Sequence, residues 1–141
     1  MMIRYKFLNH TADAKFQAYG NSLEEAFQNA AEATANLMWS TKKVRPRIKR
    51  KVNITGKDKE QLLVKFLEEI LFLLDSDDFL FCSVEGLSIK KEKADYTLEA
   101  WFFGEKISDK SEIFGSVKAV TYNDMVIEGN DHYLIQVVVD V

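Results

Sequence analysis

Cysteine, proline and histidine are nearly missing from this 141-residue chain, which has one Cys, one Pro and two His. The lone cysteine, Cys82, can form no intrachain disulfide and no cysteine zinc cluster. It suits a reducing, cytoplasmic setting better than an oxidising one. One proline and six glycines beside 47% hydrophobic and 29% charged residues exclude collagen-like, low-complexity and disordered chains. No run reaches the ~18 apolar residues of a membrane span, and the opening residues Met1 to Lys6 lack the apolar centre of a signal peptide. Several enzyme signatures are absent as well: no P-loop, no GxGxxG, no HExxH and no GxSxG. With His10 and His132 the only imidazoles and Cys82 the only thiol, the usual nucleophile-and-base sets have few members to draw on.

What is present reads as one domain. At this length folding buries roughly two-thirds of the unfolded chain's surface, so a core forms without disulfides or zinc. There is no internal repeat, linker or composition break. The formal charge of −3 hides an asymmetry, because Lys42 to Lys51 reads KKVRPRIKRK, with seven basic residues and no acidic one. The remainder has 12 basic residues against 22 acidic, a balance of −10. A nucleic-acid binder that uses its whole surface is therefore disfavoured.

Periodicity assigns the elements. Tyr5–Leu8 and Lys15–Tyr19 read as short strands around the polar turn His10-Thr11-Ala12-Asp13. Ser22-Leu23-Glu24-Glu25 is a capping box, in which the Ser22 hydroxyl accepts from the Glu25 amide and the Glu25 side chain reaches back to the Ser22 amide. The helix it opens carries Leu23, Ala26, Phe27, Ala30, Ala31, Leu37 and Met38 on one face and runs to about Trp39. Ile48, Val52 and Ile54 share one side of a strand whose basic residues lie mostly on the other, with Pro46 marking an edge or an entry. Asp58 and Gln61 cap a second helix with a stripe from Leu62 to Leu74, ending near Asp75–Asp78. Phe79–Ile89 and Tyr96–Phe103 form a long hairpin around Lys90–Lys93. Val117–Val126 reads equally as helix or strand, and Tyr133–Val139 is the strongest strand. The mixture lacks regular βαβ alternation, which predicts a two-layer α+β fold with a mainly antiparallel sheet packed by two main helices.

Asp13 stands in a turn between strands, and Asp140 is the penultimate residue of a hydrophobic strand whose last residue, Val141, carries an α-carboxylate. If these ends meet, three hard anionic oxygen groups come together. Carboxylates so placed repel unless a cation or proton intervenes, and oxygen-only sites suit Ca²⁺ or Mg²⁺ rather than zinc. The plainer alternative makes Asp13 a local turn cap and Asp140 a solubilising strand end. His10 reads either as a backbone-bonded turn residue or as a base or support beside a cation. The Lys42–Lys51 run is either a phosphate contact or the usual basic guard on an edge strand, and no aromatic lies inside it to stack a base. Cys82, within Phe79-Leu80-Phe81, reads as a small buried hydrophobe. Trp39 and Trp101 read as core or rim aromatics.

The string His10-Thr11-Ala12-Asp13, then Ala18-Tyr19-Gly20, Ser22 to Phe27 and Asn29-Ala30-Ala31, resembles the N-terminal pattern of the archease family. Leu62 to Leu73 is similar to its central helix, and Val117 to Tyr122 and Gln136 to Val141 are similar to its closing motifs. The resemblance spans essentially the whole chain. It implies a cofactor of the RtcB-type tRNA-splicing ligase, not a self-sufficient enzyme, which promotes the ligase's guanylylation and turnover and broadens its nucleotide use. It implies a divalent-cation site, described with calcium, at Asp13, Asp140 and Val141, with His10, Lys118 and Tyr122 as secondary candidates. Contact with tRNA would then be indirect, through the ligase, and no membrane is involved. Asn123 stands where many members have His, so a role needing an imidazole there is not expected. The second reading is a chaperone or specificity modulator of a tRNA-modifying enzyme such as a tRNA methyltransferase. A third, a stand-alone hydrolase using the carboxylates, lacks a nucleophile and base.

Overall fold

The computed structural model describes residues 3–10 and 12–141; Thr11 of the first turn lies outside them. Eight strands and two helices follow in the order β1 (Tyr5–Leu8), β2 (Ala14–Gly20), α1 (Leu23–Asn36), β3 (Ile48–Gly56), α2 (Lys59–Asp77), β4 (Phe79–Glu92), β5 (Asp95–Lys106), β6 (Ala119–Val120), β7 (Val126–Gly129) and β8 (Tyr133–Asp140). The α+β class is as expected. The strands divide into two antiparallel sheets, a separation that the strand patterns alone did not make. In the first, β8 pairs with β2 along one edge and with β6 and β7 along the other, while β1 lies outside β2. In the second, β5 is central between β3 and β4.

Helix α1 packs on β2 and β8 and also reaches β4, whereas α2 packs on β3, β4 and β5. One continuous apolar cluster results, in which Phe27 of α1, Phe66 of α2 and Phe81 and Phe102 of the second sheet touch as a chain of tilted and edge-on rings. Trp39, 1% exposed, joins it and donates its indole N–H to the Phe81 carbonyl at 2.9 Å.

Caps set the helix starts. The Ser22 hydroxyl accepts from the Glu25 amide at 3.1 Å, as expected, but the Glu25 carboxylate takes the amide of Asn21 rather than that of Ser22. Asp58 and Gln61 repeat the arrangement, with Gln61 accepting from Lys57. Helix α1 ends three residues earlier than its apolar spacing suggests. Asn36 closes it, with its side-chain amide bonded to the Glu32 carbonyl, the Tyr5 hydroxyl and the Thr41 hydroxyl, while its side-chain carbonyl accepts from the Thr41 amide. Leu37 to Trp39 thus remain apolar because they are packed, not because they are helical. Asp78 ends α2 in the left-handed conformation, its amide on the Leu73 and Leu74 carbonyls.

The hairpin turns at Lys93-Ala94, with strand pairing maintained out to Glu92 and Asp95, so the turn is shorter than the charged run implied. Lys93 takes a φ of +56° to close it. Opposite Gly104, the ladder steps from Phe81 to Ser83 and leaves Cys82 unpaired in a bulge. Cys82 is consequently half-buried, not a core residue as its neighbours suggested. Burial pushes its thiol up, a contact with the Ser83 hydroxyl opposes this, and the Glu105 carboxylate adds to it. The ambiguous 117–126 stretch is neither a helix nor one strand. It is the two-residue β6, a turn, and the start of β7.

Candidate functional site

Strand β8 organises the site because it is the most buried strand of the first sheet. Ile135, Val137 and Val139 face the helices, yet Val138, which points the other way, is also only 1% exposed. A strand buried on both sides holds its register, and the β2–β8 ladder runs without a break from Gly20–Tyr133 to Ala14–Val139. The residues just beyond the last pair are Asp13, in the bend before β2, and Asp140, the last residue of β8, which pairs with Ala119 of β6 on its other side.

The approach to Asp13 is strained. Ala12 has a φ of +68°, a left-handed conformation that costs a non-glycine residue about 1–2 kcal/mol. Such outliers gather where a chain is forced into a set position. His10 and Asp13 lie on one side of this turn, with His10 Nδ1 3.9 Å from the Asp13 carboxylate, and both side chains are roughly two-thirds covered. Asp140 is exposed, and its carbonyl accepts from the Lys118 amide at 2.7 Å. Val141 follows, 43% exposed. His10, Asp13, Lys118, Asp140 and Val141 therefore gather at one end of the first sheet. Among the described residues no three His, Cys, Asp or Glu side chains converge as a metal-binding set. A cation held here would need the Val141 carboxylate or main-chain oxygens beside the two aspartates.

Tyr122 belongs to the turn between β6 and β7 and is 55% exposed. This turn is secured to β8 from both ends. The Thr121 hydroxyl and amide both donate to the Val138 carbonyl, at 2.7 and 3.1 Å, and the Gln136 side chain donates to the Asp124 carbonyl at 2.8 Å. Lys15, opposite Val138 on β2, reaches the Asp124 carboxylate at 3.7 Å. Tyr122 is thus presented by a fixed turn beside the acidic end. Sequence reading did not find Lys15, Thr121 and Asp124 as supports of this turn. Their signal was available in the outward positions of β2 and in the Asp of a tight turn, but Lys15 and Asp124 are more than a hundred residues apart, and Thr121 meets Val138 only through the pairing of β6 with β8.

Two antiparallel sheets around two helices define a small α+β protein. Residues 5–141 match the model of the Archease protein family (MTH1598/TM1083). Proteins archease of Methanosarcina acetivorans and Sulfurisphaera tokodaii are 41% and 39% identical over 98% and 99% of this chain, and over 96% and 100% of their own lengths. The solution structure of Methanobacterium thermoautotrophicum protein 1598 superposes with a TM-score of 0.83 at 34% identity, covering 98% of this chain and 99% of that one. The chain belongs to the archease family. Among the described residues no helix is long and apolar enough to cross a membrane.

Proposed function

We propose that this protein is a cofactor of an RtcB-type tRNA-splicing ligase, not an enzyme in its own right, and that its acidic sheet end is the working surface. Family membership over the whole chain is the support for the partner. The observation that supports the site is the unbroken β2–β8 register up to Ala14–Val139, beyond which the next residues of the two strands are Asp13 and Asp140. In this reading Asp13, Asp140 and the Val141 carboxylate hold a divalent cation, with calcium the best match to an all-oxygen set. A cation so held supplies an open coordination position for an acidic group of the ligase. His10 orients Asp13 from the same turn, and Lys118 fixes the Asp140 main chain. Tyr122 stands at the rim as a contact.

A cofactor raises guanylylation only by binding the reactive conformation of the ligase more tightly than the resting one. Docking must therefore add contacts that exist in the reactive state alone, which suits a preformed site on a rigid strand end. The test mixes Asp13→Ala or Asp140→Ala protein with the cognate ligase and GTP and follows the first guanylylation and later turnovers. Each substitution should lose most of the stimulation while circular dichroism stays native. Full stimulation by either folded variant would refute the cation site.

A further inference from the structure

The outer face of the second sheet carries a feature that the acidic site does not use. Helix α2 covers the inner face, where Val52, Ile54, Leu98, Ala100 and Phe102 are buried. No described element covers the other. On it the register sets Lys49 against Phe103 and Lys51 against Trp101. Both lysines lie over the Trp101 ring, with the Lys49 and Lys51 ammonium groups 4.5 and 5.0 Å from its centroid. Arg47 continues the basic line one step further, its amide donating to the Gly104 carbonyl.

This changes the meaning of the basic run. It contains no aromatic of its own, but pairing with β5 brings two aromatic rings directly beside it. A guard on an edge strand needs charge only at the edge. Here Lys49 and Lys51 turn their charge inward over a half-buried tryptophan on the sheet face, and neither forms an ion pair among the described residues. Arg50, by contrast, sits on the other side of β3 and is taken by Asp77 at 3.0 Å. Successive outward residues of a strand are about 6.7 Å apart, the spacing of Lys49 and Lys51; Arg47, just before β3, extends the row as a cation already paired with the Glu105 carboxylate at 3.5 Å.

We infer that this face binds an unpaired nucleic-acid strand, with phosphates along Arg47, Lys49 and Lys51 and bases stacked on Trp101 and Phe103. Flat aromatic rings beside a row of cations are the chemistry that holds single strands, because every base has a π-face and every linkage a charge. A duplex hides its base faces and gains only the charges. In the free protein the two ammonium groups occupy the ring face; on binding they move to phosphates and release that face to a base. Glu85, opposite Trp101 on β4, and Glu99, two residues along β5, close the other sides with negative charge. The strand is thereby confined to the β3 side. The proposal concerns this chain alone and does not depend on the acidic site.

The test uses the full chain and a fluorescein-labelled oligouridylate of about 12 nucleotides, titrated by anisotropy between about 50 and 200 mM salt. Binding should be tighter than to a duplex of equal length, and the half-buried Trp101 should be quenched while Trp39, buried, is not. Lys49→Ala/Lys51→Ala should lower the slope of log affinity against log salt by about 1.4, from about 0.7 per phosphate contact. Trp101→Leu should weaken binding roughly tenfold or more at unchanged salt slope. The charge-matched control Lys6→Ala/Lys57→Ala should bind as the parent does. A deoxyribose oligonucleotide that also binds would place the preference in stacking and phosphate, and supports the inference equally. No binding at the lowest salt, equal binding of duplex, or full binding by the folded lysine variant would each overturn it.

Discussion

Single residues decide where this molecule deviates from ideal geometry. Ala12 and Asp78 both take left-handed backbone, one ahead of Asp13 and the other behind α2. At Asp78 the conformation closes a helix. At Ala12 it delivers an aspartate to the end of the β2–β8 ladder. Glu69 shows a residue-scale cost of another kind. It lies half-buried on α2, and burial raises its carboxyl above the ordinary range. The folded protein then holds the Glu69 proton more tightly than the unfolded chain does. The stabilisation from that proton is fully present below the unfolded pKa and is lost as pH rises through the folded one. At neutral pH the group is a net burden, so Glu69→Gln should raise the thermal midpoint at pH 7. The gain should shrink as pH falls through the raised native value and be gone below about 4, where the carboxyl is protonated in the folded and the unfolded state alike. Thermal unfolding of the two proteins across this range checks it.

At the scale of elements, the crossing of β4 and β5 depends on one missing side chain. A methyl group at Gly104 would collide with the Leu80 carbonyl and the Phe79 ring. Both belong to the buried start of β4, which cannot withdraw. Gly104→Ala should therefore cost about 2–3 kcal/mol, within the range for overpacked cores, and urea unfolding would show it as a lower midpoint at unchanged slope. Most elements were legible because their signals are local. The caps at Ser22 and Asp58, the stripe of α2 and the alternation in β3 each lie within a few residues. What was not legible is non-local. The bulge at Cys82 follows from the Gly104 contact, some twenty residues away. The partition into two sheets follows from how α1 and α2 share one core, which no strand pattern records. The site divides in the same way. Asp13 and Asp140 could be picked out by residue type and position, but that they lie just beyond one end of the β2–β8 ladder is a property of its register. The turn supports and the Lys49–Lys51–Trp101 cluster had to await the pairing of distant segments.

For the whole molecule, the two sheets are joined by shared burial and not by strand pairing. Phe27, Phe66, Phe81, Phe102 and Trp39 connect α1, α2 and the second sheet in one cluster. Unfolding should accordingly be a single cooperative transition. Trp39→Phe leaves Trp101 as the sole tryptophan and Trp101→Phe leaves Trp39, so fluorescence of each variant isolates one location. In each, the fluorescence midpoint should coincide with that from circular dichroism. Separate midpoints would show two independently melting units. The placement of β8 has a further consequence, for the order of assembly. The strands of the second sheet and α2 lie within residues 48–106, and α1 and Trp39, which also pack on β4, precede them, so these parts can associate as soon as residue 106 leaves the ribosome. The first sheet cannot. Its β1–β2 hairpin is synthesised early but waits for β8, residues 133–140, before its inner edge is paired. During that interval β2 is an open edge of the kind that seeks other chains. The rigidity of that edge is acquired only when β8 joins it, so a nascent chain cannot bring Asp13 and Asp140 to one end of the sheet until residues 133–140 have been made.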